Sequence, residues 1–154
     1  MPPPILISTS DFQKIREEQG LYVDKSDFII EVLRRPAEAQ LYPRPRRFGK
    51  TTSMSALRYF LEKGEDRSAL FSDLKVWQDP KARQHFQRHA VINLSFKDVK
   101  GFDWADTRTG LRQVIQRELG RLEALWTVPA VRSSLAASLA RVMRGEDNEQ
   151  WVLL

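Results

Sequence analysis

Cysteine is absent from the 154 residues, which excludes disulfides, thiolate metal sites and cysteine nucleophiles and fits a reducing, cytoplasmic setting. Histidine is nearly absent. The two present, His85 and His89, are four apart and would share a helix face, but no third histidine or cysteine completes a usual zinc set. Long apolar runs are missing too. Near the start only Ile5-Leu6-Ile7 is continuous, too short for a signal peptide, and nowhere do apolar residues approach the roughly 20 that span a bilayer. No membrane partner is expected. Glycine is sparse at 7 residues, so the one that opens a Gly-Lys-Thr triplet stands out.

What is present is an ordinary globular composition, 42% hydrophobic and 29% charged, over a length that suits one core. The balance is basic. A net charge of +5 and a pI near 9.7 attract polyanions, whether a triphosphate or a nucleic-acid backbone. Arg34, Arg35, Arg44, Arg46, Arg47 and Lys50 concentrate this charge in one stretch. Arg112, Arg117 and Arg121 fall along a helical pattern and read as solvated.

The stretch Arg44-Pro45-Arg46-Arg47-Phe48-Gly49-Lys50-Thr51-Thr52 carries the chemistry. A phosphate loop needs a glycine, four residues, then Gly-Lys-Thr/Ser: backbone amides wrap the phosphates, the lysine reaches the β and γ oxygens, and the hydroxyl ligates Mg²⁺. Gly49, Lys50 and Thr51 stand correctly, whereas Arg44 occupies the place of the first glycine and Pro45 has no N–H to offer. Downstream, Met54, Leu57, Phe60 and Leu61 recur at helical spacing, so the positive end of a helix over Thr52 to Leu61 would face the anion, with Gly64 as its terminator. Upstream, Ala39 to Tyr42 is the expected strand, limited by Pro43. The competing reading of the same run is a basic loop in which Arg44, Arg46 and Arg47 contact nucleic-acid phosphates.

Other segments build a scaffold of alternating elements. Ser10 with Gln13 resembles a capping box for a short helix that Gly20 ends, Leu21 to Val23 is extended, and a helix from Ser26 to Arg35 is closed by Pro36. Pro80 starts a polar helix to about His89, and Ala90 to Phe96 is the best strand. Leu111, Val114, Ile115, Leu119, Leu122 and Leu125 mark a helix over Asp106 to Leu125, and Val131, Leu135, Leu139 and Val142 another over Val131 to Met143. Gly145 and the polar run Glu146 to Glu149 turn into a last strand, Trp151 to Leu154. Strands separated by helices imply an α/β fold with a parallel sheet flanked by helices. Trp77, Trp104 and Trp126 read as core or interface fillers, and Asp98 as a lesser candidate for positioning magnesium.

Tyr22-Val23-Asp24-Lys25-Ser26, the helix from Phe28 to Leu33, the Arg44 to Thr51 loop and Leu57-Arg58-Tyr59-Phe60 together resemble the AAA-ATPase-like domain family of bacterial proteins. The likeness also takes in Ser10-Asp11-Phe12 with Ile15-Arg16-Glu17, Leu70-Phe71 with Leu74, and Val91 to Phe96. In that family arginine is usual at position 44, and many members carry a PD-(D/E)XK nuclease-like domain. The resemblance implies ATP and Mg²⁺ as cofactors. Nucleotide contacts fall on Arg44, Arg46, Arg47, Phe48, Gly49, Lys50, Thr51 and Thr52, with the metal on Thr51. Asp24 and Lys25 either line the nucleotide pocket near base or ribose, or form a turn in which Asp24 caps the helix beginning near Ser26.

The resemblance further implies that an acidic Asp-Glu motif follows the strand at Trp151 to Leu154. The chain is accordingly expected to be an N-terminal fragment, an incomplete P-loop NTPase with a short helical N-terminal segment over 1–36 and a truncated ATPase-like domain over 37–154. Hydrolysis is expected of a longer protein, and binding at most of this chain, with no catalytic residue within it. If the sheet has the order 5-1-4-3-2, a strand is missing between those at Leu41 and Leu153, and self-association and poor solubility follow. A basic nucleic-acid-binding module of a nuclease-linked protein, or a non-functional gene fragment, are the alternatives.

Overall fold

Phenylalanines far apart in sequence converge in the first of two units, Met1–Arg88 and His89–Leu154, of a computed structural model. The structure describes residues 3–6, 9–35, 39–43, 45, 47–97, 99–125 and 151–153. In the first unit Phe12, Phe60 and Phe71 are fully buried. Phe71 stacks on Phe12 at 4.9 Å between centroids and meets Phe60 edge-on at 5.2 Å. Phe86 stands edge-on to both Phe60 and Phe71, and Trp77 edge-on to Phe86 at 4.9 Å. These are the offset and edge contacts that aromatic quadrupoles favour. Trp77 is thus the filler expected of it, whereas Trp104 is 70% exposed and Trp126 lies outside the described residues.

Helices wrap this cluster. Helix α1 spans Phe12–Glu17 and α2 spans Asp27–Arg34; α3 spans Lys50–Leu61. A short 3-10 turn over Ser68–Leu70 leads to α4 (Lys75–Gln78) and α5 (Pro80–Arg83). Helix α1 starts one residue later than the capping-box reading: Asp11, not Ser10, is the cap, and its Oδ1 accepts the Lys14 N–H at 3.0 Å. The other oxygen of Asp11 accepts the Tyr59 hydroxyl at 3.0 Å, and the Phe12 N–H bonds Ser55 Oγ, so the cap ties α1 to α3. Gly20 closes the turn after α1 with its N–H on the Ile15 carbonyl at 2.8 Å. The left-handed residue is Gln19 (φ 52°), and a Cβ on Gly20 would stand 2.7 Å from Leu6 Cδ1.

Three further elements depart from the periodicity. Helix α3 ends with Glu62 in extended conformation and begins at Lys50, two residues before the expected start, and Gly64 takes no left-handed turn. The helix expected from Pro80 to His89 stops after Arg83; Gln87 turns to φ 51° and its N–H bonds the Phe60 carbonyl at 2.8 Å, which swings Phe86 into the rings. Residues 39–43 form no strand. Leu41 is 89% exposed, Gln40 Nε2 bonds the Val32 and Arg35 carbonyls, and Tyr42 packs edge-on against Phe28, so side chains replace sheet pairing.

In the second unit, β1 (Ala90–Ile92) pairs in parallel with β2 (Trp151–Leu153), Ala90 opposite Trp151 and Ile92 opposite Leu153. This is the one strand pairing among the described residues, and residues 39–43 take no part in it. Helix α6 spans Trp104–Leu125 and lays Leu122 against Ile92 and Leu94. Asp103 Oδ1 accepts the Asp106 N–H at 2.8 Å, which explains a start just ahead of Asp106. The strand ends at Ile92 instead of Phe96 because α6 takes over its backbone: Glu118 Oε1 accepts the Asn93 N–H at 2.8 Å, and Arg121 Nη2 donates to the Val91 carbonyl at 3.1 Å. Arg121 also pairs with Glu118 at 2.7 Å, so it braces the strand and is not merely solvated. The helix, turn and tryptophan expected between 126 and 150 lie outside the described residues, as do Asp98 and Leu154. No described helix is long and apolar enough to cross a membrane.

Candidate phosphate-loop site

Helix α3 is held by one face and open at its start. Ser53, Ala56, Leu57, Phe60 and Leu61 are buried, while Lys50 and Thr51 are exposed and Thr52 is half-buried. The first intrahelical bond runs from the Ser53 N–H to the Gly49 carbonyl at 2.8 Å. The amides of Lys50, Thr51 and Thr52 therefore precede the helical ladder. Among the described residues no side chain caps them, and the first turn contains no acidic residue. Three donors and the positive end of the helix dipole are left facing outward, the arrangement that anions take.

The loop before the helix is shaped by two left-handed residues. Gly49, the N-cap, has φ 72° and ψ 21°, and Arg47 has φ 68°. Glycine adopts this region freely, whereas a residue with a Cβ is strained there by about 1–2 kcal/mol. The requirement at Gly49 is conformational: the nearest atom to an added Cβ is Lys25 Nζ at 3.6 Å, which is no clash. A left-handed residue followed by helical ones turns successive N–H groups to one side and makes a concave anion nest. Phe48, between the two, is 58% exposed. Of the expected nucleotide contacts, Arg47, Phe48, Gly49, Lys50, Thr51 and Thr52 share this loop and helix start; Arg44 and Arg46 lie outside the described residues.

The Asp24-Lys25-Ser26 segment lies next to the loop. Asp24 is occupied by backbone: its Oδ1 accepts the Ser26 N–H at 2.8 Å and its Oδ2 the Lys75 N–H at 3.0 Å. It therefore makes the turn ahead of α2 and also caps α4, a second bond that no sequence pattern signals. Partial burial pushes its carboxyl up, but the amide bonds from Lys75 and Ser26 outweigh this and hold it below the usual carboxylate range. Ser26, 1% exposed, accepts the Val76 N–H on Oγ at 3.1 Å. Lys25 Nζ reaches the Phe48 carbonyl at 3.4 Å, in the loop ahead of α3. Among the described residues no three His, Asp or Glu side chains gather into a metal site.

No curated protein and no solved structure matches the chain. The family model described as Predicted AAA-ATPase matches residues 6–154, nearly the whole length and both units. With an open helix start behind Gly49-Lys50-Thr51 and a match of that extent, the chain belongs to the AAA-ATPase-like family.

Proposed function

We propose that the chain binds ATP with Mg²⁺ through the loop from Arg44 to Thr52. The observation that carries this reading is the uncapped start of α3, where a left-handed Gly49 turns the amides of Lys50, Thr51 and Thr52 outward beside an exposed lysine. Lys50 neutralises the β and γ phosphate oxygens as a compact point charge, and the amides from Arg47 to Thr52 cradle the remaining oxygens. The Thr51 hydroxyl is a hard oxygen donor at the helix edge, suited to a magnesium ion that otherwise keeps water and phosphate ligands. Bound Mg²⁺ draws charge from the phosphate oxygens. Membership in the family supports nucleotide binding in general, and the choice of adenine is the family's.

The test is a fluorescence titration of the chain with a ribose-labelled ATP analogue in Mg²⁺. Removal of a charge-assisted contact weakens affinity by about 1.5–3 kcal/mol, or roughly tenfold to a hundredfold. Lys50→Ala should lose at least that much while unfolding at the wild-type midpoint. Affinity undiminished in Lys50→Ala rules the site out.

A further inference from the structure

Neighbouring residues of one short segment are committed to opposite tasks. Asp24 and Ser26 both bond the start of α4, through the Lys75 and Val76 amides at 3.0 and 3.1 Å. Ser26 is buried at 1% exposure, so this attachment fixes the backbone on both sides of Lys25. Lys25 rests its ammonium on the Phe48 carbonyl at 3.4 Å, within 3.6 Å of the position a Cβ on Gly49 would take. Two other lysines of this unit are held by carboxylates: Lys75 by Asp27 at 2.6 Å and Lys14 by Glu18 at 3.8 Å. Lys25 has no carboxylate partner among the described residues, and its side chain is exposed. An ammonium has three N–H donors, and one carbonyl engages one of them.

From this placement we infer that Lys25 is a second cation of the phosphate site: its ammonium, poised on the Phe48 carbonyl, binds the polyphosphate of the nucleotide together with Lys50. The inference rests on the nucleotide reading proposed above and adds to it a residue outside the loop. Two lysines fixed on different elements set the charge of the site, so it favours a highly charged triphosphate. The bracket matters because a backbone already ordered beneath the lysine leaves less backbone freedom to lose on binding.

The experiment uses the full chain with Mg²⁺ and two probes, the labelled ATP analogue and its displacement by inorganic tripolyphosphate, at several salt concentrations. Lys25→Met should weaken both probes roughly tenfold to a hundredfold. It should also flatten the salt dependence, leave the unfolding midpoint in place, and be largely rescued in Lys25→Arg. Wild-type affinity of Lys25→Met for tripolyphosphate overturns the proposal; if only the labelled nucleotide is weakened, the lysine faces the base or ribose. Equal losses in Lys25→Met and Lys25→Arg, with a lowered unfolding midpoint, overturn it in favour of a purely structural prop. Lys50→Ala reports on the underlying reading separately: if that variant or the wild type shows no phosphate-dependent difference, the site itself fails, whatever Lys25 does.

Discussion

Gly49 holds a backbone conformation that an L residue enters only under strain, and its φ of 72° is what aims the first amides of α3. Gly49→Ala should therefore destabilise the chain by about 1–2 kcal/mol in chemical denaturation and weaken nucleotide binding as well. A substitution that stabilises the chain would show the loop to be relaxed in another conformation. Asp24 offers a test through pH. Its folded carboxyl titrates below its ordinary value of 3.8, since burial is outweighed by the Lys75 and Ser26 amides. A carboxyl depressed in the folded state stabilises it fully above the ordinary value, and that contribution disappears as pH falls through the folded value. Asp24→Asn should lower stability near neutrality and shallow the loss of stability on acidification below about pH 4. Parallel pH profiles for wild type and variant would separate Asp24 from the α4 cap.

Elements in this chain are held by aromatic packing in one unit and by a side-chain brace in the other. Phe71 touches Phe12, Phe60 and Phe86 with no exposed surface, so Phe71→Ala should cost about 3–5 kcal/mol, read from the denaturant midpoint at unchanged slope. In the second unit, Arg121→Ala strips the Val91 carbonyl of a donor and Glu118 of its ion partner. Loss of such a charge-assisted bond costs about 1.5–3 kcal/mol, which amide hydrogen exchange at Ala90–Ile92 would register as faster opening. Element types at strongly periodic segments were legible: α2, α3 and α6 form where apolar residues recur at helical spacing, and Leu122 faces inward as that spacing requires. Ends were not, because long-range bonds decide them. Phe60 captures the Gln87 amide and shortens the helix at Pro80, Glu118 captures the Asn93 amide and shortens β1, and Gln40 ties residues 39–43 to α2 in place of a strand.

For the molecule as a whole, family membership implies nucleotide binding in general, and the uncapped start of α3 supports the proposal that this loop performs it. The sequence singles out Gly49, Lys50 and Thr51 because phosphate chemistry requires those residue types in that order, and the structure places them together at the start of α3. The position of Lys25 against Phe48 could not be read from sequence, since it depends on Asp24 and Ser26 reaching α4 some fifty positions on. If Mg-ATP binds at this loop, it also acts on global stability: at about a hundred times its Kd it should add about 2.7 kcal/mol to the unfolding free energy, and at the same ligand concentration Lys50→Ala should cut that gain to about half or less. The most direct test is to follow backbone amide resonances while Mg-ATP is added. The account predicts that the largest shifts fall on Gly49, Lys50, Thr51 and Thr52, and that Lys50→Ala abolishes them; shifts elsewhere with these four amides unmoved would contradict it.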